Sequence, residues 1–328
     1  MVPPLITLEE HFFSKAVLTD FAGNYAEQLK HVPHLKEKLA DLGELRLSSM
    51  DAGQVSLQIV SHAPGGMSAS RCKAANDQLA ESVKKHPNRF AGFAVLPISE
   101  PVACATELTR CVKELDFVGA LIDNHTTDGT YFDGEAYLPM FQAAQDLDVP
   151  IYLHPTWATQ EVTSLLYTGD NIPSEATTSL SSSAFGWHSD VAVHVLRLFA
   201  SGLFDRLPKL KMIIGHMGEM LPFMLERVMQ LSPRWGPHQR SFKTVWDENI
   251  WITTSGNWSV NPMACILRNT QPDRVLYSVD YPFATNENGL QFMRELEASG
   301  LVSSEQLEMI AHGNAEALLR VKHKKRWD

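Results

Sequence analysis

Leu5-Ile6-Thr7-Leu8-Glu9-Glu10-His11-Phe12 is an apolar run that ends in Glu-x-His. In a strand, alternate side chains share a face. Glu9 and His11 then point the same way, roughly 6–7 Å apart at Cα, and Glu10 points the other way. That spacing lets one carboxylate and one imidazole share a metal ion. Two donors are half a site, so the reading of the chain turns on whether later segments supply the rest.

Apolar runs recur at 55–62, 89–98, 118–124, 149–154, 211–216, 250–255 and 274–280. Between them lie stretches of helical period at 69–86, 101–115, 135–147, 190–201, 221–230 and 261–268, with closing helices at 290–298 and 304–321. Pro101 takes a favourable first-turn position. Continuous apolar strands alternating with helices predict a parallel sheet buried on both faces. Eight such units in 328 residues predict an α/β fold of the TIM-barrel type, (β/α)8, as one domain over residues 1–328. A doubly wound open sheet is the rival. It is disfavoured because no G-x-G-x-x-G turn follows any strand.

Two segments are too long to be mere connectors. Residues 14–43 are polar with helix-like patches at 26–29 and 35–42, followed by a helix over 45–52 that stops at Gly53. Residues 155–188 are Ser/Thr-rich without a clear period. Loops of that length read as lids or binding loops.

The net charge of −10, with no offsetting basic face, argues against general nucleic-acid binding. The basic run Lys322-His323-Lys324-Lys325-Arg326 reads as a solvated helix end. Cys72, Cys104, Cys111 and Cys265 form no CxxC pair and read as core thiols in a reducing compartment. Cys104 and Cys111 share a helix face but lie too far apart to bridge. No apolar run is long enough to span a bilayer. Met1-Val2-Pro3-Pro4 leads straight into a strand, so no signal peptide is expected. The expectation is a soluble cytoplasmic protein that acts on a small molecule, with neither nucleic acid nor membrane as partner.

In a barrel of this type the active site lies at the C-terminal ends of the strands. Glu9 and His11 end the first run, His62 the second, Asn124 and His125 the fourth, and His154 the fifth. His216 ends the sixth, Ser255 the seventh and Asp280 the eighth. Five of the 13 histidines fall at such ends. His62 has no partner motif and reads as structural. His125 fits a site-lining or a structural role equally. His188 and His194 are set aside as ligands, with His188 a pocket-lining candidate. Asp280, before Tyr281-Pro282, also suits an Asx turn. In His216-Met217-Gly218-Glu219 the chain turns through Gly218, so Glu219 can meet His216, fix its tautomer and raise its basicity. Glu219 can also serve the next helix N-terminus. Glu9, His11, His154 and Asp280 together offer two carboxylates and two imidazoles. That set suits one Zn²⁺ or Mn²⁺, with Mg²⁺ the third candidate. No lysine ends the fourth or fifth run to bridge a second ion.

Leu8-Glu9-Glu10-His11-Phe12, Tyr152-Leu153-His154-Pro155, Gly215-His216-Met217-Gly218-Glu219 and Ser278-Val279-Asp280-Tyr281-Pro282-Phe283 resemble the amidohydrolase-related decarboxylases. That group includes aminocarboxymuconate semialdehyde decarboxylase. The closer likeness is to γ-resorcylate, 2,3-dihydroxybenzoate and salicylate decarboxylases. The stretches 200–210 and 251–257 match as well, so the resemblance covers nearly the whole chain in order. It implies Glu9, His11, His154 and Asp280 as ligands to one divalent metal, without an organic cofactor. It implies His216 paired with Glu219 as catalytic, and Arg227 as a substrate contact reaching into a neighbouring subunit of a homodimer or homotetramer. Many members carry His-x-His at the first strand; Glu-x-His here leans to the resorcylate-type branch. The loop Trp187-His188-Ser189-Asp190 departs from the family's Trp-Gly-rich pattern.

The reaction implied is non-oxidative loss of CO2 from an ortho-hydroxybenzoate by protonation of the ring carbon. Asp280 is then proton donor as well as ligand, and His216–Glu219 polarises the phenolic oxygen or relays protons. Phe12, Phe13, Trp187, Tyr281 and Phe283 are candidate aromatic walls, with ordinary packing the competing role. The rival activity is a metal hydrolase opening a lactone or amide, with His216 as base for water. A non-catalytic scaffold would need a damaged site, whereas every expected ligand is present.

Overall fold

The computed structural model describes residues 2–17, 23 and 25–324. Among them are eight strands: β1 Leu5–Phe12, β2 Val55–His62, β3 Phe90–Gly92, β4 Ala120–Asp123, β5 Ile151–His154, β6 Met212–Ile214, β7 Ile250–Thr253 and β8 Val275–Leu276. β1-β2-β3 and β4-β5-β6-β7-β8 form two parallel ladders in sequence order. Single bridges join them, Ala94 to Ala120 and Glu10 to Tyr281, so the strands close into the expected (β/α)8 barrel. Period-two alternation sorts the side chains. Ile6, Leu8, Leu57, Ile59, Tyr152 and Ile213 fill the interior, whereas Leu5, Val60, Ile151, Leu153 and Met212 pack outward under the helices. The helix Asn314–Leu319 brings Leu318 and Leu319 onto the interior cluster. Its Asn314 donates to the carbonyl of Val275 at 2.8 Å, which places this plug at the barrel end opposite the candidate site.

The seam between β8 and β1 is built largely from side chains. Ser278 Oγ accepts the N–H of Leu8 at 3.0 Å and of Glu9 at 2.7 Å. The Glu10 carboxylate accepts the N–H of Val279 at 3.1 Å and of Tyr281 at 2.9 Å. Backbone pairing returns only where His11 N–H donates to Tyr281 O at 2.7 Å. This is why β8 is a two-residue ladder rather than the run 274–280.

Other boundaries differ from expectation for local reasons. The third run stops pairing early because the Asn76 side chain both donates to and accepts from the backbone of Val95, at 3.0 Å each way. The Ser/Thr-rich segment contains helices Gln160–Leu166 and Ser174–Leu180, and the next helix, Gly186–Ala200, starts before the expected 190. Neither short helix buries a residue, so neither leaves an apolar period to read. The helix expected over 304–321 is interrupted by a π-turn at Met309–Gly313 and ends at Leu319. The basic run is therefore not a helix end over its described part: His323 folds back, its N–H and ring bonding Glu316 at 3.1 and 2.9 Å. Met1, residues 18–22 and 24 of the long polar segment, and Lys325 and Arg326 of the basic run lie outside the described residues. All four cysteines are unbridged. No helix among the described residues is long and apolar enough to cross a membrane.

Candidate metal centre and active site

The strand-end rule brings Glu9, His11, His154 and Asp280 to one point. Their donor atoms all lie within 4.8 Å of one another. His11 Nε2 stands 3.2 Å from Asp280 Oδ1, and His154 Nε2 stands 3.1 Å from Glu9 Oε1. Ligands about 2.0–2.1 Å from a zinc ion in a tetrahedron are spaced at about 3.3 Å, so these edges fit one small divalent cation. Glu9 Oε1, His11 Nε2 and Asp280 Oδ1 are buried without any hydrogen-bond partner. Three orphaned lone-pair atoms facing one another are costly unless a cation sits between them.

The opposite sides of these ligands are held by protein. Tyr152 and Ser255 donate their hydroxyls to Glu9 Oε2, so this oxygen is occupied and Oε1 is free. His154 donates from Nδ1 to the carbonyl of Pro155 at 2.7 Å, leaving the Nε2 lone pair for a metal. Gly215 makes this support possible. A Cβ there would meet Glu9 Oε2 at 2.7 Å and the Tyr152 hydroxyl at 3.1 Å.

Burial alone would raise the Glu9 carboxyl. The charges of His216, His154 and His11 outweigh it and hold Glu9 far below the ordinary carboxylate range. Burial, then the Glu9 charge beside it, pushes the Asp280 carboxyl up. A divalent cation between the two would pull Asp280 back down. His11 is pushed down, by burial first.

His216 adjoins this cluster, with Nε2 3.4 Å from Glu9 Oε1. Its Nδ1 meets Glu219 Oε1 at 2.7 Å, as the turn through Gly218 predicts. Burial opposes its protonation, but the Glu219 and Glu9 charges win and raise His216 to about 10; Glu219 falls to about 2. The turn itself is strained. His216, Met217, Gly218, Glu219 and Met220 all have positive φ, from 48° to 85°. Left-handed backbone costs a non-glycine residue about 1–2 kcal/mol.

A cavity of 670 Å³ opens beside the cluster, in the usual size range for a small-molecule site. His154, His216 and Asp280 lie at its base, and Trp187 and Phe283 are in its wall, as the sequence suggests. Tyr25, Trp157 and Trp258 complete the wall, in addition to the residues the sequence suggests. Tyr25 stacks on Phe283 at 5.8 Å and meets the edge of Trp157 at 4.7 Å. The signal for Trp157 and Trp258 was position: each follows a strand end by a few residues.

Other named residues lie elsewhere. Phe12 is 1% exposed and packs in the core against His62, with ring centroids 5.3 Å apart. His62 accepts the Ser14 N–H at Nε2 and is structural. Asn124 bridges Asp190 and His194, at 2.7 and 3.0 Å. His125 lines a separate cavity with Tyr131 and Asp190. Arg227 lies exposed on the outer face of helix Leu221–Leu231. His188, set aside as a ligand, has its Nδ1 2.7 Å from Glu219 Oε2.

Comparison with known proteins agrees with this geometry. The model of the amidohydrolase family matches residues 28–321. The decarboxylase orsB of Emericella nidulans is 53% identical, covering 99% of this chain and 99% of its own. The gamma-resorcylate decarboxylase of Polaromonas sp. is 35% identical, covering 96% of this chain and 98% of its own. A crystal structure of a dihydroxybenzoic acid decarboxylase from Polaromonas sp., with bound manganese and the inhibitor 2-nitroresorcinol, superposes with a TM-score of 0.85 at 33% identity. That match covers 96% of each chain. With its closed barrel, its convergent donors and a family match over most of its length, the chain belongs to the amidohydrolase family.

Proposed function

We propose that this enzyme is a metal-dependent, non-oxidative decarboxylase of an ortho-hydroxybenzoate of the γ-resorcylate, 2,3-dihydroxybenzoate or salicylate type. The observation that carries this reading is the quartet Glu9, His11, His154 and Asp280 at the base of an aromatic-walled cavity. It is supported by relatives named as decarboxylases and by a similar solved structure with bound manganese and the inhibitor 2-nitroresorcinol.

Glu9, His11, His154 and Asp280 would hold one divalent ion, Mn²⁺ or Zn²⁺ with Mg²⁺ the third candidate, and that ion would supply Lewis acidity and positive charge to the anionic substrate. The chain's own residues do the rest. Trp157, Trp187, Trp258, Tyr25 and Phe283 clamp the ring and exclude water. Asp280 delivers a proton to the ring carbon that bears the carboxylate. The C–C bond to the carboxylate then breaks, its electron pair returns to the ring, and CO2 leaves as aromaticity is restored. His216, held by Glu219, polarises the phenolic oxygen or relays protons.

Arg227 shares the outer face of its helix with Phe223 and Met224, which are 81% and 44% exposed. An exposed apolar face of this kind suits a homodimer or homotetramer in which Arg227 reaches a neighbouring site. The unbridged cysteines accord with a reducing, cytoplasmic setting.

The test is a panel of hydroxybenzoates given to metal-loaded enzyme, read by CO2 release with O2 uptake followed in parallel. CO2 without O2 uptake is expected. Opening of lactones or amides with no CO2 from any hydroxybenzoate would replace this reading with a hydrolase in which His216 activates water.

A further inference from the structure

Glu219 is fully buried, and an imidazole occupies each of its oxygens. His216 Nδ1 takes Oε1 and His188 Nδ1 takes Oε2, both at 2.7 Å. The two rings stand 4.6 Å apart. His188 Nε2 lies 2.9 Å from the carbonyl of Ser183, an atom that can only accept, so this nitrogen donates. Both ring nitrogens are thereby engaged, and the imidazole cannot turn without losing a bond.

The carboxylate it holds lies in the left-handed turn described above. Strained backbone of that kind persists only where neighbouring groups hold it. Within the turn, Gly218 N–H donates to Gly215 O at 2.7 Å, and His216 N–H reaches Ser255 Oγ at 3.3 Å. His188 ties the Glu219 end of the turn to a different element, the helix Gly186–Ala200. That helix is anchored in turn. Asp190, two residues on, accepts from Asn124 at 2.7 Å and from the Tyr131 hydroxyl.

We propose that His188 is a positioning residue: by holding Glu219 Oε2 it fixes the angle at which Oε1 meets His216, and so the ring that faces Glu9 and the substrate oxygen. For its kinetic consequence the proposal rests on the decarboxylase reading above. Removing His188 leaves Oε2 buried with one donor fewer and frees the carboxylate to rotate. The His216 ring then follows. Loss of a partner that orients such a side chain typically lowers activity about 10–100-fold.

The experiment compares His188→Ala, His188→Asn and His188→Gln with the unsubstituted zinc-loaded enzyme at equal metal content. One arm reads kcat and KM from CO2 release. The other reads the ring ¹⁵N–¹H resonance of His216 Nδ1, which needs no substrate. His188→Ala is expected to shift that resonance and to lower kcat about 10–100-fold with KM within about threefold. His188→Asn or His188→Gln, whose amide can donate to Oε2, should recover part of both. An unmoved His216 resonance in His188→Ala overturns the proposal. So does a kcat loss that neither amide variant recovers. If the hydroxybenzoate reading fails, the resonance arm still decides. If His188→Ala does not fold, His188→Leu, which fills the space without donating, takes its place: a shifted His216 resonance and lowered kcat that an amide variant partly recovers support the proposal, and equal values in His188→Leu and the amide variants overturn it.

Discussion

Ser278 Oγ accepts the backbone N–H of Glu9 at 2.7 Å, so the last strand grips the first at a residue of the candidate metal cluster. The same hydroxyl accepts from Leu8 at 3.0 Å and lies 3.2 Å from Glu10 Oε1. Ser278→Ala leaves two buried N–H groups without an acceptor. We expect a loss of about 2–4 kcal/mol of stability, measured by denaturant unfolding. A loss below about 1 kcal/mol would mean that the backbone closes this seam unaided.

Asp280 is both a donor atom in the cluster and the residue assigned to protonate the ring. Asp280→Asn, compared at matched metal occupancy, should lower CO2 release at least about 100-fold. Turnover near that of the unsubstituted enzyme would remove the proton-donor role and leave Asp280 as a ligand alone.

Gly215→Ala tests the support behind Glu9. The added Cβ would stand 2.7 Å from Glu9 Oε2 and 3.3 Å from Ser255 Oγ, so the carboxylate must shift. The expected result is an unchanged circular dichroism spectrum with metal affinity about 10–100-fold weaker, read by competition with a chromophoric chelator. Unaltered affinity would show that Glu9 does not depend on this contact.

The Asp190–His125 pair, 3.3 Å apart, gives a pH dependence away from the metal. Burial disfavours charge on both. His125 is nonetheless raised from 6.5 by Asp190, and Asp190 is lowered from 3.8 by His125 and Tyr131. A raised histidine contributes stability below its unfolded value and loses it as pH rises through its folded value. A lowered aspartate contributes above its unfolded value and loses it as pH falls. The stability gap between the unsubstituted protein and Asp190→Asn should therefore be widest between about pH 4 and 6.5, and narrow above it. Asp123 nearby is raised by burial to about 6 and titrates in both forms. A gap that is flat from pH 5 to 8 would show that Asp190 does not alter the titration of His125.

The convergence of Glu9, His11, His154 and Asp280 was legible because each ends a strand, and a barrel gathers strand ends by construction. His216–Glu219 was legible because the turn through Gly218 is local. Tyr152 and Ser255 were not, since they become neighbours of Glu9 only when the barrel closes. Tyr25, Trp157 and Trp258 come from segments with no period to read. Asn124 and His125 show the limit of the strand-end rule. It names the right strand, but Asp190 at the start of helix Gly186–Ala200 binds both and draws them to a separate cavity. His188 was legible only as a wall residue, because its bond to Glu219 joins two elements that the sequence keeps apart.

The donors are also spread along almost the whole chain, from Glu9 to Asp280. A polypeptide still leaving the ribosome has Glu9, His11 and His154 well before Asp280 and the Ser278 clasp exist. The complete ligand set is therefore assembled only after nearly all of the protein has been made. A product truncated before the last strand lacks one of the four donors and the Ser278 clasp that positions another.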